Sequence, residues 1–419
     1  MKLRIHPAWI VAGITFGTLF ATAGFRSAPS VLILPLEKDF GWGRDVISLA
    51  VAINVLLYGL TAPFAAALME RFSVRKVVMA SLTTVGTGAL LTIWMSQSWH
   101  LMLLWGVVVG VGTGSMALVF AATIANRWFV KKRGLVVGIL TAAAASGQLV
   151  FLPGLSRLAQ DPGWQASSLV IALCAFLMVP LIYFFLKEDP QSINSTPYGA
   201  GDNWQPPVLQ KGNAAKNAIG ALKDASKVRN FWYLVGSFFV CGLSTSGLIG
   251  THFIPAAHDH GMPQVTAASL LALIGVFDVI GTIFSGYLTD RIDPRKLLFF
   301  YYFLRGLSLF LLPSILFSSV EASTLFFFIF YGLDWVATVP PTVLLCRQVL
   351  GPDKGAVIYG WVFAAHQIGG SIAAIGASLL RVKFGDYASA FYITGILCVI
   401  TSYFVLQIST PQTKERVKV

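Results

Sequence analysis

Apolar residues run along this chain in long blocks separated by short polar breaks. A bilayer core is crossed by a helix of about 20 apolar residues. Blocks of that length fall at 8–36, 46–69, 77–96, 100–126, 134–157 and 166–186, and a second set falls at 231–257, 265–289, 297–318, 322–346, 356–381 and 388–408. Between the sets, the stretch 187–230 carries Pro190, Pro197, Pro206, Pro207 and several lysines. It cannot bury enough apolar surface to fold as a domain, so it reads as a linker ending in an amphipathic helix near 214–228. The pattern predicts an N-terminal bundle over 1–187, a linker over 188–229 and a C-terminal bundle over 230–419. The first block begins near Trp9, is longer than the apolar region of a cleavable signal, and lacks a small-residue cleavage site, so it is expected to be a retained span.

Composition agrees with a lipid solvent: 56% of the 419 residues are hydrophobic and 11% charged, with a mean hydropathy of +0.73, well outside the range of an ordinary soluble domain. The net charge of +12 could suggest nucleic acid. The basic residues, however, gather in alternate connecting segments, which is the signature of membrane topology. With the N-terminus inside, 23 of the 30 Lys and Arg residues fall on the cytoplasmic side. Lys38, Arg44, Arg157, Arg381 and Lys383 then face out, and Arg26 and Arg305 stay within spans. Both termini are therefore expected in the cytoplasm, with the membrane the only macroscopic partner and no nucleic acid. Cys174, Cys241, Cys346 and Cys398 all lie in apolar blocks without CxxC spacing, which predicts packing residues rather than disulfides, and neither a metal nor a cofactor is expected.

A shift of 220 residues superposes Pro35 on Pro255, Gly41 on Gly261, Leu68 on Leu288, Glu70 on Asp290, Arg71 on Arg291, Arg75 on Arg295, Lys76 on Lys296 and Arg127 on Arg347. One spacing held across several elements marks an internal repeat. The fold expected is an all-α membrane protein of twelve transmembrane helices in two pseudo-symmetric six-helix bundles, with a substrate site near the midplane between them.

The segment Gly286, Leu288, Asp290, Arg291, Arg295, Lys296 resembles the loop signature G-x-L-x-D-R-x-x-x-R-K of the major facilitator superfamily. Its first-half copy has Ala66, Leu68, Glu70, Arg71, Arg75 and Lys76. Carboxylates at a helix end facing guanidinium groups can hold one side of a carrier shut through charge-assisted bonds, so Glu70, Arg71, Arg75, Asp290, Arg291 and Arg295 form a candidate cytoplasmic gate; the competing reading is a topology anchor. Phe40-Gly41-Trp42-Gly43-Arg44, Arg127-Trp128-Phe129 with Arg133-Gly134-Leu135, and Gly275-Val276-Phe277-Asp278 resemble the monocarboxylate and oxalate/formate carriers of that superfamily. Animal members are similar in pairing a span-eight aspartate with an arginine four residues later and a lysine in span one. Here Asp278 matches, Thr282 stands at the arginine position and Ser30 at the lysine position, with Arg26 one turn earlier.

Ionisable groups in hydrocarbon are costly and are read as functional by default. Arg26, in the setting Gly24-Phe25-Arg26-Ser27-Ala28-Pro29, offers a planar fork suited to a carboxylate; its alternative is a structural pair with Asp278 or Asp334. Asp278 is the repeat counterpart of Tyr58, with Asn54 one turn before, so these residues are expected to line a shared cavity. A buried carboxylate can carry a proton, unless Asp278 is locked to Arg305. Asp334, ahead of Pro340-Pro341, is the other candidate partner for Arg305. His366 and Gln367 sit mid-span in span eleven, where a histidine can exchange protons or simply pack. Together Arg26, Asn54, Tyr58, Asp278, His366 and Gln367 form the expected substrate site, and Asp278, Asp334 and His366 the expected proton-coupling set. Gly106, Gly110, Gly112 and Gly114 lack the βαβ setting of a dinucleotide loop and predict close helix packing.

These observations favour a monomeric secondary transporter of a small organic anion, driven by protons or by exchange. Efflux of drugs or other apolar and cationic compounds is the alternative, and a non-transporting membrane sensor a third. An enzyme is not expected, since no nucleophile, metal or cofactor motif is present.

Overall fold

A computed structural model describes residues 6–116, 118–201, 214–289, 291–350 and 355–409. In the first half the spans are Pro7–Phe40, Arg44–Phe72, Val74–Leu91 with a short turn to Trp94, 98–128, Arg133–Leu158 and Trp164–Phe185. The second half follows with 229–259, Gln264–Thr289, Pro294–Leu311, 322–350, Gly355–Phe384 and Ala388–Val405. Among the described residues, ten continuous segments are long and apolar enough to cross a bilayer. One of these, Ser146–Phe185, joins the end of the fifth span to the sixth, which part at Asp161 where the backbone is extended (φ −151°, ψ 118°). The fourth span is interrupted and counts only as the shorter piece Ser98–Gly114. Read this way, the described helices make twelve spans, six in each half. Large apolar side chains face outward, among them Leu177 at 64% exposure and Ile283 and Phe326 at 70%, as a lipid solvent requires.

Local chemistry sets the helix ends. Pro7 opens the first span at a position that needs no amide donor, with His6 Nδ1 accepting from the Ala8 amide. Gly41, at φ +66°, closes it in the left-handed region and donates to the Glu37 carbonyl. Asp293 and Pro294 repeat the opening device for the ninth span.

Without a hydrophobic drive between helices in lipid, small residues that permit close backbone approach decide which helices pair. Gly106, Gly110 and Gly114 form a ridge on the fourth span. A Cβ there would come within 3.2 Å of the Ala50 carbonyl, 3.0 Å of Asn54 Cα and 2.8 Å of the Tyr58 carbonyl, all on the second span, while Gly112 faces Val85 of the third. The four glycines are the packing device their spacing predicts. The eighth and tenth spans meet in the same way through Gly281, which touches the Leu333 carbonyl, and Gly332, whose Cβ would lie 3.0 Å from the Ile274 carbonyl.

Between the halves, the second span lies along the eleventh, and the fifth along the eighth. Ser371 Oγ donates to the Ala52 carbonyl at 2.8 Å, and Gly59 receives the Gln367 side chain. The first span's lower end, the linker and the last span's end share one face of the bundle. His6 packs on Tyr198, and Asn230 bonds Ser409. This face is the termini side below, and the opposite face the far side. The linker helix Ala214–Ala225 lies on the termini side against the second and eleventh spans, and Trp361 Nε1 donates to its Ala218 carbonyl at 2.9 Å.

Gly281→Val should cost about 1–3 kcal/mol, the usual range for overpacking, and lower the melting temperature of the detergent-solubilised protein. Gly286→Ala, on the same span with open space at its Cβ, should leave it unchanged.

Candidate functional site

The tenth span is two helices, Ala322–Asp334 and Val339–Leu350, separated by a turn at 335–338. Pro340 and Pro341 lack the amides that would continue the first helix into the second, and the freed backbone groups must be satisfied inside the membrane. Arg305, fully buried on the ninth span, supplies most of what is needed. Its Nε donates to Asp334 Oδ2 at 2.5 Å, and its Nη2 to the Asp334 and Trp335 carbonyls at 2.6 and 3.4 Å. Nη1 reaches Cys241 Sγ at 3.1 Å and Ser244 Oγ at 3.3 Å. Tyr302 and Tyr331 place their rings 5.8 and 5.9 Å from the guanidinium carbon, within cation–π range. Arg305 therefore pairs with Asp334 and not with Asp278. Cys241, expected to be a packing residue, is also a contact of the guanidinium.

Asp278 holds the other side of the same break. Its Oδ1 accepts from the Val336 amide at 3.1 Å and from Thr282 Oγ1 at 3.0 Å, and the residue is half-buried. Ser285 Oγ donates to the Ala337 carbonyl, and Thr338 Oγ1 lies 3.3 Å from Cys241 Sγ. The repeat carries the interruption into the first half: a turn at Ser115 and Met116 parts the fourth span 220 residues before Trp335 and Val336. Interrupted helices at matching positions of two repeats point to the midplane site of a transporter.

Gln367 reaches the interface between the halves at Gly59, and His366 packs beside it within the second half. Thr245 Oγ1 already donates to the Cys241 carbonyl at 2.7 Å. His366 Nε2 lies 3.4 Å from that hydroxyl oxygen, with donor and acceptor set by the imidazole tautomer. Nδ1 is buried and has no hydrogen-bond partner among the described residues. The imidazole stacks on Phe363 and packs on Phe238, with centroids 5.8 and 5.0 Å away. Tyr58 lies across the interface from Phe363 at 6.2 Å, and Phe64 across from Trp361 at 6.1 Å. Asn54 Nδ2 donates to the Trp105 carbonyl at 2.7 Å, so its amide is tied to the fourth span. The Arg26 side chain lies outside the described residues. His252 is fully buried, with Nε2 donating to the Ala374 carbonyl at 2.6 Å.

Of the residues at the candidate cytoplasmic gate, Asp290 and the Glu70 side chain lie outside the described residues. Arg71 stacks on Phe72, Arg75 on Tyr183 and Arg291 on Tyr287. Arg295 forks onto Asp293 and donates Nη1 to the Ile408 carbonyl at 3.1 Å. Its hydrogen bond holds the Asp293 carboxyl below the usual carboxylate range. Arg127 pairs with Glu188 at 3.0 Å, and Glu188 also accepts from the Val74 amide at 2.6 Å. Each of these contacts stays within one half.

Sequence reasoning missed an ionic contact between the halves on the far side. Arg44 donates Nη1 and Nη2 to Asp259 Oδ2 and Oδ1 at 2.8 and 2.9 Å, and Nε to Glu37 Oε2 at 2.9 Å. Arg381 Nε donates to Asp259 Oδ2 at 2.9 Å. Beside them Gln264 Nε2 donates to the Val31 carbonyl at 2.7 Å, also across the interface. The repeat offered one signal, since Asp259 is the counterpart of Asp39.

Asp334→Asn should cost about 3–5 kcal/mol, because it leaves a buried guanidinium without its counter-ion. The measure is a large fall in melting temperature and in the yield of folded protein from membranes.

The sequence model of the Major Facilitator Superfamily matches residues 14–374. Among curated proteins, the chain is 24% identical over 406 residues to an uncharacterized transporter of that type from Bacillus subtilis, YcxA, covering 96% of this chain and 94% of the relative. It is 23% identical to human monocarboxylate transporter 11, covering 95% of this chain and 82% of that protein. The fold is similar to the crystal structure of a D-xylose-proton symporter, with a TM-score of 0.72 at 14% identity over 97% of this chain and 98% of the other. With described helices long and apolar enough to cross a bilayer and a family match over most of its length, the chain belongs to the Major Facilitator Superfamily and is an integral membrane transporter.

Proposed function

We propose that this transporter carries a small organic anion of the monocarboxylate class by alternating access, coupled to protons or to exchange. The observation that carries the reading is the division of charge in the second half. Arg305 and Asp334 neutralise each other, which leaves Asp278 half-buried, beside a broken helix, with its described hydrogen bonds coming only from an amide and a hydroxyl. Such a carboxylate can take up and release a proton without unpairing a buried arginine. Arg26 is assigned to the substrate carboxylate, as the remaining intramembrane cation. Asn54, Tyr58, His366 and Gln367 are assigned to the lining of the site, and His366 is assigned to proton coupling as well. Asp334, placed among the coupling candidates by sequence, is assigned to its ion pair with Arg305 instead. The relatives named monocarboxylate transporters support the substrate class.

In this reading both termini are cytoplasmic, the protein works as a monomer, and Glu70, Arg71, Arg75, Asp290, Arg291 and Arg295 form the cytoplasmic gate. A second reading, efflux of lipophilic cations, is favoured by the half-buried acid and the aromatic rings of Tyr58, Trp361 and Phe363 at the interface.

In proteoliposomes, an imposed pH gradient should drive accumulation of short labelled monocarboxylates. Asp278→Asn should reduce gradient-driven accumulation by about tenfold or more while leaving counterflow exchange. Arg26→Ala should raise KM by about 10- to 100-fold, the value of a charge-assisted fork. Unaltered transport by Arg26→Ala removes the anion anchor, and inhibition by lipophilic cations but not by acids selects the efflux reading.

A further inference from the structure

The far-side contact of Glu37, Arg44, Asp259 and Arg381 has an arrangement that simple adhesion between the halves does not require. Glu37 and Arg44 belong to the first half, and Asp259 and Arg381 to the second. The fork from Arg44 to Asp259 crosses the interface, whereas the Glu37–Arg44 and Asp259–Arg381 bonds stay within their own halves. Arg44 is only 8% exposed, so a bare pair here would strand two poorly hydrated charges whenever the halves separated.

We infer that this quartet is the far-side gate, and that Glu37 and Arg381 are positioning residues that allow it to open. When the fork breaks, Arg44 keeps Glu37 and Asp259 keeps Arg381. Each half parts as a neutral pair, and no charge is left to be rehydrated alone. Beneath the fork, the Gln264 amide on the Val31 carbonyl is a neutral bond that water replaces at small cost. On the termini side the described contacts between the halves are of another kind, the aromatic pairs of Tyr58 with Phe363 and Phe64 with Trp361, beside the linker helix bonded at Ala218. The two ends therefore respond to different substitutions. Glu37 and Arg381 act by stabilising the open state, while Asp259 acts by holding the closed one.

The inference rests on the alternating access proposed above, and its test is made without substrate, so that a wrong substrate class cannot sink it. Val31, fully buried just inside the gate, is changed to cysteine in the full chain held in lipid nanodiscs. The rate of labelling by a bulky membrane-impermeant maleimide is then measured, with the labelling of the native cysteines subtracted. Asp259→Asn should raise the rate by about tenfold, as expected when a closed-state bond is lost. Glu37→Gln and Arg381→Gln should each lower it by about three- to tenfold, since they remove the counter-ion that the open state needs. Asp259→Glu keeps the charge and should hold the rate near wild type, which separates loss of the fork from loss of the fold. A faster rate in Glu37→Gln or Arg381→Gln, no change in those variants, or a rise in Asp259→Glu equal to that in Asp259→Asn overturns the proposal.

Discussion

A guanidinium buried in hydrocarbon constrains the second half of this protein more than any other group. Arg305 cannot shed its charge, so the helices around it must supply a counter-ion and acceptors. They do so with Asp334, two main-chain carbonyls, a thiol and a hydroxyl. The need runs both ways. The turn at 335–338 frees carbonyls that have no water to turn to, and the arginine collects them. Interrupted helix and buried cation thus stabilise each other, and Tyr331, with its hydroxyl on the Ser244 carbonyl, ties the pair to the seventh span. Asp278 completes the arrangement from the eighth span by capping the amide of Val336.

Around this fixed point the two halves touch through unlike surfaces. Glycine contacts such as Gly59 with Gln367 bring the second and eleventh spans together at mid-depth. Toward the termini the interface becomes aromatic, and toward the far side it becomes ionic. Within each half, glycines again set the approach, as with the fourth-span ridge on the second span.

Much of this was legible in the sequence because lipid imposes few and simple rules. Hydropathy alone marks the spans, and the 220-residue repeat pairs them. The double proline at Pro340-Pro341 announces the break in the tenth span, and the charges of Arg305 and Asp334 stand out against their apolar surroundings. Which acid Arg305 would choose was not legible, because Asp278 and Asp334 lie on different helices whose relative positions are fixed by packing such as Gly281 on Leu333 and Gly332 on Ile274. The matching break in the fourth span carries no proline, and its glycines signal packing rather than interruption. The far-side quartet was invisible for a different reason. Arg44 and Asp259 stand 215 residues apart, and each reads singly as an ordinary charge at a helix end. The resemblance to a known loop signature instead drew attention to the termini side.

In the proposed carrier Asp334 is committed to Arg305, and Asp278 is the carboxyl that changes its protonation. Infrared difference spectroscopy of the protein in lipid, recorded between acid and neutral pH, reads buried carboxyl groups one at a time. A protonated-carboxyl band should disappear in Asp278→Asn and survive replacement of Asp334 together with Arg305 by apolar residues. A band that persists in Asp278→Asn and is lost with the Asp334 replacement would overturn that division of roles.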